Sequence, residues 1–312
     1  MNYLAICGFF CTFAVRKTLN NKNIMEKLSY KEYKETLKSI GISYLGSYNQ
    51  SAKMAMNGKN GVITYSLYLA PSNMSGYECC PMKFSANCRE LCLNGSGRNK
   101  GDIILRGYEQ SHINRARIKK SKLFFEDREL FMRILIYELE KTREYAKNRN
   151  FGFSVRLNCT SDLSPYIFRI DGKCILELYP DVIFYDYTKV PSRYSLVEKY
   201  ENYHLTFSYD GYNWDTCVDF LNKGVNVAVV FESDVMPTTW RGYRCIEMSN
   251  SDLRYLDPKA NDGVGFIGHL HFHRPANLYK NGKYEIPNSK FVVMEDDTDN
   301  NYTFPLPKSD EE

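Results

Sequence analysis

Cys80, Cys88 and Cys92 lie in one short stretch, ECCPMKFSANCRELCLNGSGR, with the spacing Cys-x7-Cys-x3-Cys. Three thiolates fill three corners of a tetrahedral zinc site, or bind three irons of a [4Fe–4S] cluster and leave the fourth iron open. A closed site supports a fold, whereas an open iron does chemistry. The group in the fourth position therefore governs what this chain can do. Cys79 is the neighbouring alternative to Cys80, but Pro81 fixes the chain directly after Cys80 and favours it as the ligand. Gly95, Gly97 and Arg98 come after the last cysteine, and glycines there would let the backbone approach a bound group closely.

The elements that position this loop are strands. GVITYSLYLAP (61–71) alternates and ends at a proline, directly before the cysteines. Six more strand-like runs lie at 151–162, 181–190, 203–211, 224–233, 242–249 and 263–273, with helix-capable segments between several of them. The continuous apolar run of GVNVAVVFES suits a strand buried on both faces. This recurrence is the pattern of parallel β/α units, and no Gly-x-Gly-x-x-Gly turn succeeds any strand. The expected fold is α/β: a parallel (β/α) TIM-like barrel, complete or partial, with a cysteine-rich metal loop (79–98) after its first strand.

Four regions are expected: an apolar extension or mis-assigned start (1–24), an N-terminal helix and linker (25–60), the barrel (61–294) and an acidic, disordered tail (295–312). The apolar run 1–15 is shorter than the ~20 residues of a membrane span, and its positive charges come after it instead of before it. A membrane role is therefore not expected. FFEDRELFMRILIYELEKTREYAKNRN carries the strongest helical periodicity.

In a β/α barrel the active site forms at the C-terminal ends of the strands. Those ends are polar here. Arg156, Asn158, Asp162, Asp186 and Lys189 are the candidate catalytic residues, and Ser208 and Asp210 join Gly95, Gly97 and Arg98 as candidates for binding a cofactor. Arg156 and Asn158 share one strand parity, as do Asp186 and Thr188. His269, His271 and His273 form His-x-His-x-His, which on a strand would share one face and could hold a metal. A similar pattern serves metal-dependent DNA nickases in which a downstream tyrosine attacks; the downstream tyrosines of this chain are Tyr279, Tyr284 and Tyr302, in turn-like contexts.

The 312 residues are 43% hydrophobic and 25% charged, ordinary values for a globular protein, and the net charge of +4 is too small for bulk electrostatic binding of nucleic acid. Ten cysteines, scattered apart from the cluster, in a chain this long do not resemble an extracellular disulfide scaffold. A reducing cytoplasm is expected.

The segments LAPSNMSGYECCPMKFSANCRELCLNGSGR, FEDRELF, VRLNCTSDL, YPDVIFYDYTKVPSR, YHLTFSYDG, NVAVVF and SDLRYLDP together resemble an uncharacterised family of bacteriophage and prophage proteins, over about residues 43–295. The resemblance implies a phage origin, a host-cell cytoplasmic location and a shared cluster at Cys80, Cys88 and Cys92, but no reaction. More distantly, a three-cysteine loop after the first strand of a β/α barrel is similar to radical S-adenosylmethionine enzymes. There the usual spacing is Cys-x3-Cys-x2-Cys with an aromatic beside the last cysteine; here the spacing differs and Leu91 stands in that place. That likeness implies a [4Fe–4S] cluster and S-adenosylmethionine as cofactors, acting on an unknown substrate such as a nucleotide, a nucleic acid or a peptide. The alternatives are a non-catalytic module with zinc closed by Cys79 or a distant histidine such as His112, and the histidine-centred nickase. The basic run 114–122 would meet phosphate or form a solvated helix face.

Overall fold

The computed structural model describes residues 27–48, 51–83, 88, 90–233, 235–287, 289–294 and 302–303. The extension 1–24 lies outside them. Helix α1 (Tyr30–Ile40) opens with a capping box, in which Ser29 and Glu32 satisfy each other's backbone N–H groups, and closes at Gly41 in the left-handed conformation (φ 72°). After β1 (Gly46–Ser47) comes α2 (Ala52–Lys59), within the region 25–60 expected to hold one helix and a linker. Its start is marked by Ser51, whose hydroxyl accepts the N–H of Met54. Strand β2 (Val62–Leu67) leads into the cysteine segment, and α3 (Arg98–Arg106), α4 (His112–Glu126) and α5 (Arg128–Lys147) come next. Asp127 ends α4 and caps α5, accepting the N–H of Leu130 at 3.1 Å.

The remaining elements alternate. They are β3 (Gly152–Arg156), a two-strand ribbon of β4 (Arg169–Ile170) and β5 (Lys173–Cys174), α6 (Ile175–Leu178), β6 (Ile183–Thr188), α7 (Ser195–Lys199), β7 (Tyr203–Ser208), α8 (Trp214–Leu221) and β8 (Val227–Phe231). Then come β9 (Thr239–Trp240), β10 (Tyr243–Glu247), β11 (Ile267–His271), the ribbon β12 (Tyr279–Lys280) with β13 (Lys283–Tyr284), β14 (Val292–Val293) and β15 (Tyr302–Thr303). All seven expected strands are present.

Seven strands run parallel in the order β2-β3-β6-β7-β8-β11-β10. The order departs from the sequence at its end, because β11 lies between β8 and β10. β7 pairs with the first half of β8 and β14 with its second half. Antiparallel strands flank the sheet, β1 on β2 at one side and β9 with β15 beyond β10 at the other. Among the described residues no pairing joins the two ends, so the architecture is a large, mostly parallel central sheet. Tyr302–Thr303, inside the tail expected to be disordered, pairs with Thr239–Trp240; the rest of that tail lies outside the described residues.

The two faces of the sheet differ in chemistry. One is apolar: Val155 and Phe184 pack with Phe131, Ile134 and Leu135 of α5, and Phe207, Val227, Val229 and Phe231 pack with Phe220 and Leu221 of α8 and with Trp240. Burying such side chains is the main force ordering the sheet, about 1.5–3 kcal/mol each. The other face carries Thr64, Ser154, Tyr185 and His204. It is covered by α2 and by the segment after β10. Asn57 of α2 donates to Thr64 at 2.9 Å, Thr64 meets Ser154 at 2.9 Å, and Tyr185 donates to Asp252 at 3.3 Å. Tyr255 packs on both Tyr185 and His204. This second face fills with polar groups paired to one another, as burial requires.

Candidate functional site

A cavity of about 260 Å³ opens at the C-terminal ends of the parallel strands. Cys80, Cys88 and Cys92 all line it, so the loop after β2 brings the three thiols to one wall. The Cys80 sulfur accepts the N–H of Ser72 at 3.2 Å, and the Cys92 sulfur accepts that of Asn94 at 3.4 Å. Burial pushes the Cys92 thiol up to about 11 and the Cys80 thiol higher still. Among the described residues no three His, Cys, Asp or Glu side chains are gathered tightly enough to hold an ion. The thiols share a wall without forming a ready-made triad. Cys159 is a fourth thiol on the same cavity, and burial pushes it up to about 12. Cys79 instead sits in the apolar core against Ser121, and His112 stands at the start of α4 beside Asp102; neither lines the cavity.

The last cysteine is held from behind by an asparagine lattice. Asn94 donates to Tyr108 Oη and to Asn114 Oδ1, both at 2.9 Å. Asn99 donates to the Asn94 carbonyl at 2.6 Å and to Asn114 at 2.8 Å, and Asn114 donates to the Tyr108 carbonyl at 2.6 Å. All three asparagines are buried. Arg117 of α4 adds a bond to Asn94 and stacks on Tyr68. The basic run 114–122 is thus divided: Arg117 and Lys120 turn inward, Lys120 over the Tyr44 ring, whereas Arg115, Lys119 and Lys122 are exposed, Lys119 bonding the Gly41 carbonyl.

The candidate residues at the strand ends separate into two groups. Arg156, Asn158, Asp162, Lys189 and Ser208 line the cavity. Asp186 does not. The inward parity of β6 is the odd one, with Tyr185 and Tyr187 facing Asp252, so Asp186 points to the opposite face. There it accepts Asn158 Nδ2 at 2.8 Å and Arg193 at 2.9 Å. Burial raises its pKa, although Arg193 and Asn158 oppose the shift. Asp162 accepts Thr188 Oγ1 at 2.7 Å and the Lys189 N–H at 2.9 Å, and it pairs with the same Arg193. Arg193 therefore clamps two carboxylates below the cavity wall.

Gly95, Gly97, Arg98 and Asp210 do not line the cavity. A Cβ at Gly95 would lie 3.0 Å from Pro275 Cβ and 3.1 Å from Asn277 Oδ1, so the glycine admits that chain segment. Gly97 caps α3 at φ 58°, and Arg98 beside it is exposed. Asp210 is buried, its carboxylate accepting the N–H groups of Tyr212 at 2.9 Å and Asn213 at 3.0 Å. The three histidines also divide. His269 is buried, stacked on Phe231, with Nε2 3.1 Å from the Ser233 carbonyl. His271 and His273 line the cavity, rings 5.5 Å apart. Tyr279 and Tyr284 pack with tilted rings, 5.1 Å apart, in the β12–β13 ribbon, away from that cavity, and the side chain of Tyr302 lies outside the described residues.

A second part of the cavity lining, around Asp252 and Lys53, was not anticipated from the sequence. Asp252 is fully buried and bonds Arg156 at 2.7 Å, with Lys53 Nζ at 3.9 Å and Tyr187 Oη at 3.5 Å. Burial would raise the Asp252 carboxyl, but Arg156, Lys53 and Arg254 outweigh it and hold it below its ordinary value. Lys53 is lowered to about 8, by burial first and by Arg254 and Arg156 against the pull of Asp252. Its ammonium also bonds the Met248 carbonyl at 2.9 Å.

A family model described as Gene product 88 matches residues 18–277. The chain belongs to the Gene product 88 family. The match spans the cysteine stretch, all seven parallel strands and the histidine run, and this phage-type family agrees with the motif resemblance. No curated protein and no solved structure matches the chain. Among the described residues no helix is long and apolar enough to cross a membrane.

Proposed function

We propose that this Gene product 88 protein is an iron–sulfur enzyme of the radical S-adenosylmethionine type, built on a partial β/α barrel and working in the host cytoplasm. The observation that carries the reading is the convergence of Cys80, Cys88 and Cys92 on the one cavity at the C-terminal rim of the parallel strands, the edge where barrel enzymes place their sites. The donor set fits a [4Fe–4S] cluster in kind: three soft thiols, two already accepting backbone N–H groups of the sort that tune such clusters. Loading requires the three sulfurs to draw together. When bound, the cluster would supply an open iron and one-electron chemistry, with S-adenosylmethionine as the matching cofactor.

The chain's own groups do the rest. The asparagine lattice holds the Cys92 end of the loop, and Arg193 fixes Asp162 in the wall. Lys189, Ser208, Arg156 and Lys53 present polar heads to the same space, while Ala228, Val230, Leu270 and Phe272 give it an apolar side that limits water. A space of this size takes a small molecule or one group of a larger one.

One observation favours a second reading. Cys159 shares the cavity with the three loop cysteines, and four thiols would close a structural zinc site. Metal analysis of anaerobically purified protein separates the two: iron with sulfide supports the enzyme, and one zinc with no iron rejects it.

A further inference from the structure

Among the described residues the cavity wall carries four cations, Lys53, Lys83, Arg156 and Lys189, against two carboxylates, Asp162 and Asp252. Each carboxylate already has a guanidinium, Arg193 for Asp162 and Arg156 for Asp252. Three of the cations are also engaged. Arg156 bonds Asp252, Lys53 bonds the Met248 carbonyl and lies near Asp252, and Lys83 pairs with Glu78. Lys189 differs. Its main-chain N–H goes to Asp162, and its ammonium makes no direct hydrogen bond or ion pair among the described residues, the carboxylates of Asp162 and Asp210 acting on it only from a distance. It lies over the Phe291 ring, 5.1 Å from the centroid, on the stretch of wall that Ser208, Cys88 and Cys92 share. A half-buried ammonium has given up much of its hydration, and an acceptor from outside restores it.

We propose that Lys189 anchors an oxyanion subsite that seats a carboxylate or phosphate group of the substrate beside the cysteine wall. The inference rests on reading the cavity as a substrate chamber, and it names the substrate class as anionic. The surplus of cations draws such a group in, and charge-assisted hydrogen bonds from Lys189 hold it. The apolar side formed by Val230, Leu270 and Phe272 then receives the uncharged remainder of the molecule.

The test uses full-length, metal-free, reduced protein, titrated by calorimetry with inorganic phosphate and, separately, with acetate, at low and high KCl. The expected result is saturable binding of at least one anion, weakened by salt. Lys189→Met should lose about tenfold or more in affinity, Lys189→Arg should keep most of it, and Lys141→Met on the exposed face of α5 should change nothing. The two arms tell a phosphate from a carboxylate. Should Lys189→Met fail to fold, Lys189→Gln carries the same expectation. No saturable binding of either anion, or a Lys189→Met affinity equal to wild type, overturns the proposal. Because no metal is present, this result and the metal analysis fail independently.

Discussion

Replacing Arg193 by methionine tests the electrostatic frame beneath the site. Arg193 is 4% exposed and pairs with Asp162 and, at 2.9 Å, with Asp186, while also bonding Tyr203. Methionine keeps the length and apolar bulk but leaves two carboxylates facing each other without a cation. Removing one partner of a buried ion pair costs about 3–5 kcal/mol, a large share of the roughly 5–15 kcal/mol by which a domain is stable. The melting temperature should fall by on the order of 10 °C. Urea unfolding followed by circular dichroism gives the value directly. Asp186 sets the pH dependence. Its pKa is raised in the fold, so the folded state holds the proton at a pH where the unfolded chain has released it, and stability falls as pH rises through that window. Losing Arg193 raises the carboxyl further, so the cost of the variant should shrink toward acid pH. Adding Asp186→Asn should recover roughly half of the loss, since the residues share one ion-pair network. A loss below about 1 kcal/mol, or a double variant no more stable than the single, would show that Arg193 does not hold the two carboxylates in this way.

Asn114→Ala removes the hub of the asparagine lattice and strands buried amides of Asn94 and Asn99; it should cost about 2–4 kcal/mol by urea unfolding and reduce metal uptake at Cys92. Gly268→Ala would set a Cβ 2.0 Å from Met248 Sδ, so it should destabilise by about 1–3 kcal/mol, and Met248→Ala should relieve most of that in the double variant. Lys120→Met should stabilise the protein at neutral pH, by up to about 3 kcal/mol, because burial lowers Lys120 to about 8. The unfolded chain binds the extra proton between that value and its ordinary one, so wild-type stability rises with pH there and the advantage of the variant shrinks; denaturation midpoints at neutral and alkaline pH check the sign.

The seven strands were legible because each is a short apolar or alternating run closed by polar residues, and burial dictates that pattern locally. Their order was less so. Sequence adjacency suggests β10 beside β8, yet β11 takes that place. A sign was available: Arg244 and Glu247 of YRCIE are exposed, which suits a strand near the edge, whereas IGHLH is largely buried. The helix α2 was hidden by its Gly58 and small polar residues, with only the Ser51 cap to mark it. That Cys80, Cys88 and Cys92 belong together was suggested by their spacing, by Pro81 and by the family resemblance, and all three line one cavity. The place of Asp252 in the lining was not legible, because it meets Arg156 across 96 positions and nothing near Ser251 or Leu253 announces that partner. Asp186 was misplaced by its parity: the polar residues that alternate along β6 include two tyrosines, and it is these that face inward.

Whether the cysteine loop holds an iron–sulfur cluster is decided most directly by the iron, sulfide and zinc content of anaerobically purified protein, beside that of Cys88→Ala. About four irons and four sulfides per chain are expected, with a broad visible absorption that Cys88→Ala abolishes. One zinc per chain and no iron, or no metal at all, contradicts the iron–sulfur reading.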